Sequence, residues 1–523
     1  MLRKRTFALS FVVLALLLVG IHFFNYVPDD TFITLRYARH VINGEGFVFN
    51  RGERLEGYTN FLWLIIIVSC GKLGLPLILS ARTLSFIFSL GTLVLAGFAA
   101  WRLPPRVPRG SWNHSLGIML PPMLLAASAP FLTWSLSGTE IPLFTFLLLL
   151  GFILARVGKN PGAVFVVFGL LGLVRPEGLL FYALAGIMLL VRYPAKREII
   201  VKGAAILLLF YTPYFIWKWQ YFGGMLPNTF YAKTGPMRLL FRNGSRYLAG
   251  FFASYGYLVV LGLIFLRKHL SQAKSVTIPL SFILVHWIAV FMLGGDWMPH
   301  FRFLLPTLPL IMILISSGLM EAGAGIIAPT AEGEKTGDAE ANTGMREEKR
   351  WSNPIPIVVM MLVFLTMIPG GVNYDDFAAE RTTVRAFASL GKRLYEILPP
   401  GSSIACGSTG AIGYYTDLPI IDILGLTEAH IARNGHIVAS QPGHMKTDGA
   451  YVLSKKPDLL LLGNIQIHRG KRGRSEMKHK IQESEIIMQT EFFRDYEFVN
   501  IPIGHNFHLS CYKRKEFFLP LEP

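Results

Sequence analysis

The sequence predicts a polytopic α-helical membrane protein of about eleven spans with a C-terminal extracytoplasmic α/β domain, and three observations carry that expectation. Of 523 residues, 52% are hydrophobic and only 16% charged, more apolar material than a soluble core of this size needs. Apolar runs recur from residue 6 to residue 372, and cations collect in the short segments between alternate pairs of them, as the positive-inside rule requires. Beyond residue 372 the chain turns polar and alternates strand-like with helix-like stretches.

The expected spans are 6–27, 80–101, 115–134, 140–156, 162–174, 178–191, 199–217, 251–266, 276–293, 303–320 and 354–372. The start, Met1-Leu-Arg3-Lys4-Arg5, has the basic flank of a signal peptide but no small-x-small cleavage site before Pro28, so it is expected to stay attached as the first span with the N-terminus in the cytoplasm. Inner loops then carry Arg102, Arg106 and Arg109, Arg156 and Lys159, Arg192, Lys196, Arg197 and Lys202, and Arg267, Lys268 and Lys274. The formal net charge of +17 is therefore read as topology in a cell inner (plasma) membrane; the lipid bilayer is the expected partner and nucleic acid is not.

Residues 61–79 are apolar enough to span, but a span there would reverse every later loop, so they are read as re-entrant or interfacial within the first outer loop, 28–79. The short pair 162–174 and 178–191 reads as a hairpin that recesses Arg175-Pro-Glu177-Gly178 below the outer surface. Residues 218–250 go against the rule, since an outer loop here holds Lys218, Lys233, Arg238, Arg242 and Arg246; either the topology fails there or these cations have a task. Residues 321–353, rich in Ala, Gly, Thr and Glu without apolar periodicity, read as a flexible cytoplasmic loop. The division is thus a membrane domain, 1–372, and an outer domain, 373–523, with a helix over 376–397 and strands at 403–406, 419–423, 458–462, 496–501 and 507–513. Cys70, Cys406 and Cys511 have no paired metal spacing; Cys406 and Cys511 are read either as one bridge or as buried free thiols.

With this topology five polar clusters fall on one membrane face: Asp29-Asp30, Ser137-Gly-Thr139-Glu140, Arg175-Pro-Glu177, Leu226-Pro-Asn228-Thr-Phe-Tyr231-Ala-Lys233 and Gly295-Asp296-Trp297-Met-Pro-His300-Phe-Arg302. Ionisable groups at a bilayer are costly unless they line a cavity or pair, so convergence on one face points to a site. Asp29 and Asp30 read as a general base and a second carboxylate that orients it or holds a polar acceptor, against the plainer reading that they begin an amphipathic helix at Thr31. Pro28 fixes how the pair leaves the bilayer, and in extended chain the two would point to opposite sides. Glu140 suits a helix cap as well as a site, and Arg175 and Glu177 suit a mutual ion pair. Lys233, His300 and Arg302 suit an anionic group, because guanidinium and ammonium donors match phosphate oxygens. Trp63, Tyr221, Tyr231 and Trp297 read as interfacial belt residues before sugar platforms.

Two other patterns carry little. Gly407-Ser-Thr-Gly410-Ala-Ile-Gly413 follows a strand as a dinucleotide loop would, but the next strand begins too soon for the helix such a site requires. His430, His436 and His444 lack zinc-ligand spacing and read as surface or hydrogen-bonding residues.

Carboxylates at the mouth of a greasy cavity, with cations beside them, suit a substrate with an anionic head and a lipid tail, such as a polyprenyl-phosphate sugar. The stretch Asp29-Asp30-Thr-Phe-Ile-Thr-Leu-Arg36-Tyr37-Ala-Arg39, with Asn50-Arg-Gly-Glu53-Arg-Leu-Glu56-Gly-Tyr58-Thr59, resembles polyprenyl-phosphate-dependent glycosyltransferases of the GT-C superfamily, in the branch that holds the mycobacterial terminal arabinofuranosyltransferase. Later stretches around Arg175, Asn228, Asp296 and Asp422 are similar too. The resemblance implies a GT-C fold, a base among Asp29 and Asp30, and substrate-binding roles for Arg36, Tyr37, Glu56, Tyr58, Glu140, Arg175, Glu177, Asn228, Lys233, Asp296, His300 and Arg302. It implies transfer of a sugar, such as arabinofuranose, from a polyprenyl-phosphate donor to a hydroxyl of a cell-envelope glycan, lipid or protein. Some members use a divalent metal and others do not; the separated Asp-x-Asp motif of the metal-dependent members is not present, so no cofactor is expected and a divalent metal is possible but not favoured. The rival class, a transporter or flippase for lipid-linked sugars, predicts polar residues at mid-membrane and two related halves, and the chain shows no internal repeat.

Overall fold

The computed structural model describes residues 2–102, 112–158, 160–193, 198–267, 273–327, 355–463, 465–504 and 506–519. All eleven expected spans fall on helices: α1 (Leu2–Phe23), α4 (Leu77–Arg102), α5 with α6 (Trp112–Ala127, Ala129–Ser135), α7 (Ile141–Val157), α8 (Pro161–Val174), α9 (Gly178–Arg192), α10 (Glu198–Phe222), α12 (Met237–Arg267), α13 (Ala273–Met292), a 3₁₀ turn continuing into α14 (Pro299–Thr307, Leu308–Ile327) and α15 (Ile355–Val372). By length and composition alone, four helices among the described residues can cross a membrane, or six if two bent pairs each count as one. The others are apolar but shorter. Prolines explain part of this: Pro121 and Pro122 sit inside α5, and the chain turns by 69° between Asn113–Ala127 and Ala129–Ser135, just before Pro130. The protein is an integral membrane protein. Of the expected loop 321–353, residues up to Ile327 continue α14 and the rest lies outside the described residues.

The first loop is ordered and carries two helices. Pro28 takes an extended conformation and α2 (Asp29–Ile42) starts directly after it, with Asp29 and Asp30 in the first turn, where carboxylates complement the helix dipole. The pair is therefore helical rather than extended, and the two side chains diverge because successive residues point about 100° apart around the axis. The apolar segment after it forms α3 (Phe61–Lys72), at 12 residues too short to cross a bilayer, and Trp63 is fully buried there with its indole N–H on Gly138 O at 3.1 Å, so it is no belt residue.

After α15 the long helix α16 (Tyr374–Ile397) leads into a mixed sheet in the order β2 (Ile420–Asp422), β1 (Ile404–Cys406), β5 (Leu459–Leu461), β8 (Phe507–Arg514), β6 (Gln466–Arg469), with β7 (Tyr496–Gly504) paired along β8. β2, β1 and β5 run parallel; β8 is antiparallel to its partners. The five expected strands are present. The additional β6, and the pair β3 (His436–Ile437) and β4 (Lys446–Thr447), are two to four residues long and carry no readable period. All three cysteines are free, and β5 separates the strands of Cys406 and Cys511.

The two parts share one continuous apolar core, which runs from Leu17 and Trp134 in the bundle through Phe377 to Ile404 and Ile412. Polar contacts lock the joint. The buried Arg36 guanidinium donates to the carbonyls of Phe49 (2.7 Å), Gly413 and Leu418 (2.8 Å), and Arg39 donates to Tyr414 O at 2.7 Å while lying over that ring. Asn50 bonds both N–H and C=O of Ile420. His40 and Arg51 reach the Asp417 carboxylate at 3.2 and 2.6 Å. Replacing Arg36 with Met strands three buried carbonyls. The expected result is a loss of roughly 3 kcal/mol of stability, read as a lower melting temperature of the detergent-purified protein together with faster protease cleavage between α16 and the sheet.

Candidate functional site

A cavity of about 490 Å³ lies where the bundle meets the sheet domain. Its polar lining is Asp30, Arg175, Glu177, Lys233, Asp296 and Arg302, and its apolar lining includes Leu180, Leu226, Phe230, Leu240, Met292 and Leu293. Leu180, Leu226, Phe230, Met292 and Leu293 are exposed, so the apolar lining is open at its side.

The polar lining is built around Arg302. Gly294 and Gly295 both take left-handed backbone (φ 82° and 72°), and a Cβ on Gly295 would meet Tyr247 at 2.5 Å, so this turn needs glycine. It places Asp296 where its carboxylate receives Arg302 Nε at 2.7 Å and Nη2 at 3.1 Å, a two-pronged pair, and where Oδ1 also takes the N–H of Trp297. His300 and Phe301 likewise sit at positive φ, 56° and 50°, a strained arrangement that turns the chain sharply just before Arg302. The free edge of the same guanidinium donates to Asp30 Oδ2 at 3.0 Å.

Asp29 and Asp30 have separate surroundings. Asp29 points away from the cavity and accepts the N–H groups of Gly410 (2.9 Å) and Ala411 (2.7 Å), the first turn of a short helix α17 (Gly410–Thr416) in the sheet domain. The glycine-rich segment thus does form a helix, of seven residues, and its amides hold a carboxylate of this same chain. A Cβ on Gly410 would lie 2.0 Å from Asp29 O, so only glycine permits the approach. Burial raises the Asp29 carboxyl to about 6, against the lowering effect of those amides. For Asp30, burial also acts upward, but Arg302 and Lys233 outweigh it and hold the carboxyl below the usual range. Its side chain remains 37% exposed to the cavity.

Two more cations face the same space. Lys233 ends α11 (Asn228–Lys233) and makes no ion pair or hydrogen bond among the described residues; its side chain is exposed to the cavity, and the protein crowded around it lowers its ammonium by desolvation. Arg175, between α8 and α9, donates to Glu140 (2.7 Å) and Glu177 (2.5 Å). Phe303 separates the two guanidiniums, with Arg175 at 4.5 Å and Arg302 at 4.8 Å from its ring centre. Glu140 also accepts from Asn60 at 3.1 Å, so it belongs to this network and makes no side-chain cap.

The other expected site residues lie around the cavity rather than in it. Arg36 is in the domain joint, and Tyr37 uses its hydroxyl on Leu55 O and Gly57 N. Glu56 is buried in an ion pair with Lys218 at 2.7 Å; Lys218 lies inside α10 and not in the loop expected from residue 218, and this pair is what it serves. Asn228 donates to Gly425 O and Leu426 O and holds a wall segment in place. His300 bonds Thr133 at 2.8 Å and lines a second cleft, of about 380 Å³, beyond Asp296 and Trp297. Tyr58 lines a small polar chamber beside the main cavity. Asn60, Thr229, Phe303, Gly410 and His444 were not singled out by sequence as site residues. Thr229 lies inside the 226–233 cluster and Gly410 inside the glycine-rich segment; His444, read as a surface or hydrogen-bonding residue, lines the cavity, packs edge-on to Trp297 at 5.1 Å, and burial lowers its imidazole to about 4.

Because Arg175 neutralises two buried carboxylates, Arg175→Met should destabilise the protein by about 3–5 kcal/mol. Adding Glu140→Gln and Glu177→Gln should restore most of the lost melting temperature, whereas a purely steric role for Arg175 predicts no rescue.

Comparison with known proteins places this geometry. A model for a Domain of unknown function (DUF8728) matches residues 374–516. The chain is 30% identical over 338 residues to the terminal β-(1→2)-arabinofuranosyltransferase of Corynebacterium glutamicum, covering 56% of this chain and 47% of that one. It is 33% identical over 226 residues to the protein of the same name from Mycobacterium tuberculosis, covering 40% and 35%. The chain thus spans under half the length of these relatives. The crystal structure of ArnT from Cupriavidus metallidurans bound to undecaprenyl phosphate superimposes with a TM-score of 0.56 at 12% identity, over 97% of this chain and 98% of that one. Its apo state does so at 0.55 and 14%, over 96% and 97%. The fold is that of ArnT, a GT-C fold carrying a C-terminal domain with sheets.

Proposed function

We propose that this chain is a glycosyltransferase of the cell inner membrane that moves one sugar from a polyprenyl-phosphate donor to a hydroxyl of a cell-envelope glycan, lipid or protein, with the sheet domain and site on the outer face. One observation carries the reading: Asp30 stands at the junction of a cationic cluster, Arg302 with Lys233, and a cavity whose apolar lining is open at its side. Cations beside an apolar lining suit a lipid phosphate. The named relatives are arabinofuranosyltransferases, which makes arabinofuranose the first sugar to test.

In this mechanism Asp30 accepts the proton of the acceptor hydroxyl. The new bond forms between that oxygen and the anomeric carbon, the bond from this carbon to the phosphate oxygen breaks, and polyprenyl phosphate leaves as an anion. Lys233 and the free side of Arg302 take up that charge. A donor phosphate beside Arg302 and Lys233 also cancels the attraction that keeps Asp30 acidic, so donor binding raises the basicity of Asp30 when a base is needed. Asp29 is assigned to positioning, because its oxygens are taken by the α17 amides. The reaction is proposed to run without a divalent metal. Asp30 and Asp296, the carboxylates nearest the phosphate position, both bind Arg302, which supplies the charge a metal would.

Asp30→Asn should lower transfer by roughly 10²–10⁴-fold in a membrane assay with labelled polyprenyl-phosphate arabinofuranose, mannose and glucose, while polyprenyl phosphate still binds. Equal transfer by both proteins, or label that crosses the bilayer still attached to its lipid, would contradict the enzyme and favour a transporter. Lys233→Met should lower kcat/KM for the donor at least about tenfold, as loss of one charge-assisted contact to the phosphate implies, with kcat falling because the leaving phosphate gains charge.

A further inference from the structure

Of the five cations in the expected loop 218–250, Lys218 pairs with Glu56 and Lys233 faces the cavity. Arg238, Arg242 and Arg246 remain, all in the first three turns of α12. Each is exposed, and none makes an ion pair, hydrogen bond or ring contact among the described residues. α12 itself holds no acidic residue. Residues four apart on a helix are offset by about 40°, so the three form one stripe about 12 Å long.

The stripe continues an apolar face that is turned outward from the bundle. Ala249, Ala253 and Val260 fall in the same sector of α12 and are exposed, while Tyr247, Phe251, Tyr255 and Leu258 form its buried face. One side of the helix thus reads arginine three times and then apolar residues. Length sets the depth of the change. α12 has 31 residues, about 46 Å at 1.5 Å each, against about 30 Å of hydrocarbon. With Arg267 at the inner boundary, where the charge rule puts it, the outer boundary falls about twenty residues earlier, beside Tyr247. Arg246 and Arg242 then lie in the headgroup layer, about 5–8 Å thick, and Arg238 lies just beyond it, within reach of a long side chain.

Guanidiniums without partners at that depth suit phosphate oxygens, which each can hold by two parallel hydrogen bonds. We propose that the outer turns of α12 bind the phosphate of an anionic phospholipid of the outer leaflet through Arg238, Arg242 and Arg246. The site is separate from the main cavity, since Leu240, on the far side of the helix from the stripe, is the residue of these turns that lines it. Arg246 also borders the second cleft, where Asp376 makes no ion pair with it. The choice of leaflet rests on the orientation proposed above, and the binding itself is independent of transfer activity.

The experiment measures equilibrium binding of short-chain phosphatidylglycerol, phosphatidylcholine and polyprenyl phosphate to the full-length protein in a neutral detergent. Wild type is compared with Arg242→Gln and with the triple variant Arg238→Gln, Arg242→Gln, Arg246→Gln, and the melting temperature of each reports an intact fold. A cation beside an anionic lipid is worth about fivefold. Wild type should therefore prefer phosphatidylglycerol to phosphatidylcholine by about tenfold or more, Arg242→Gln should lose about fivefold of that, and the triple variant should lose all of it. Polyprenyl phosphate should bind all three proteins alike. Equal binding of the two phospholipids by wild type, or a preference kept by the folded triple variant, would overturn the site. Release of phosphatidylglycerol by inorganic phosphate at the same concentration would overturn a lipid as the occupant, and a parallel loss of polyprenyl phosphate in the variants would overturn a site separate from the cavity. A wild type that prefers phosphatidylglycerol but binds no polyprenyl phosphate would support the stripe and contradict the glycosyltransferase reading.

Discussion

Two adjacent carboxylates in the first turn of α2 must be kept charged away from bulk water, and the structure is organised around how each is satisfied. Asp29 takes two backbone amides from the sheet domain, and Asp30 takes Arg302 from the helix bundle. Parting the sheet domain from α2 would remove both amides from Asp29, while Asp30 would keep Arg302, which lies in the bundle with it. Arg36, Arg39 and His40 extend the same seam along the helix. The sheet domain is therefore part of the site, since it fixes the helix that carries Asp30.

The same accounting shapes the cavity. Arg302 and Arg175 are both anchored by two acidic residues and both rest on Phe303, so their like charges are spaced by a ring and offset by Asp30, Asp296, Glu140 and Glu177. Among the described residues Lys233 has no such partner, which leaves it free to meet an incoming anion. Its position depends on α11, tied in turn by Asn228 to the carbonyls of Gly425 and Leu426. A sharing of the GT-C fold at 12% identity means that such local arrangements, rather than the helix layout, decide what the cavity accepts.

Much of this was legible in the sequence. The spans followed from apolar runs, and the longer strands from alternating apolar residues. The polar clusters at Asp30, Glu140, Arg175, Lys233, Asp296 and Arg302 stood out because ionisable residues in apolar surroundings are expensive. What stayed hidden were partnerships across distance. Nothing local in Gly407-Ser-Thr-Gly410 says that its amides hold Asp29, 381 residues earlier, and nothing in Glu56 points to Lys218. Arg36 and Tyr37 looked like ligand groups because their chemistry suits one; their neighbours in space, backbone carbonyls and amides, are invisible to motif reading. Asn60 and Thr229 are ordinary polar residues in sequence, and only the fold brings Asn60 to Glu140 and Thr229 to the cavity wall.

The central claim is that the cavity holds a lipid phosphate against Arg302 and Lys233, with Asp30 beside the bond to be broken. An electron cryo-microscopy structure of the protein with polyprenyl phosphate tests it most directly. The account predicts phosphate density within hydrogen-bond distance of both Arg302 and Lys233, and prenyl density along Leu180, Phe230 and Leu293. Phosphate density in the second cleft by Arg246 and Asp376, or a chain lying outside the apolar lining with the cationic junction untouched, would contradict it.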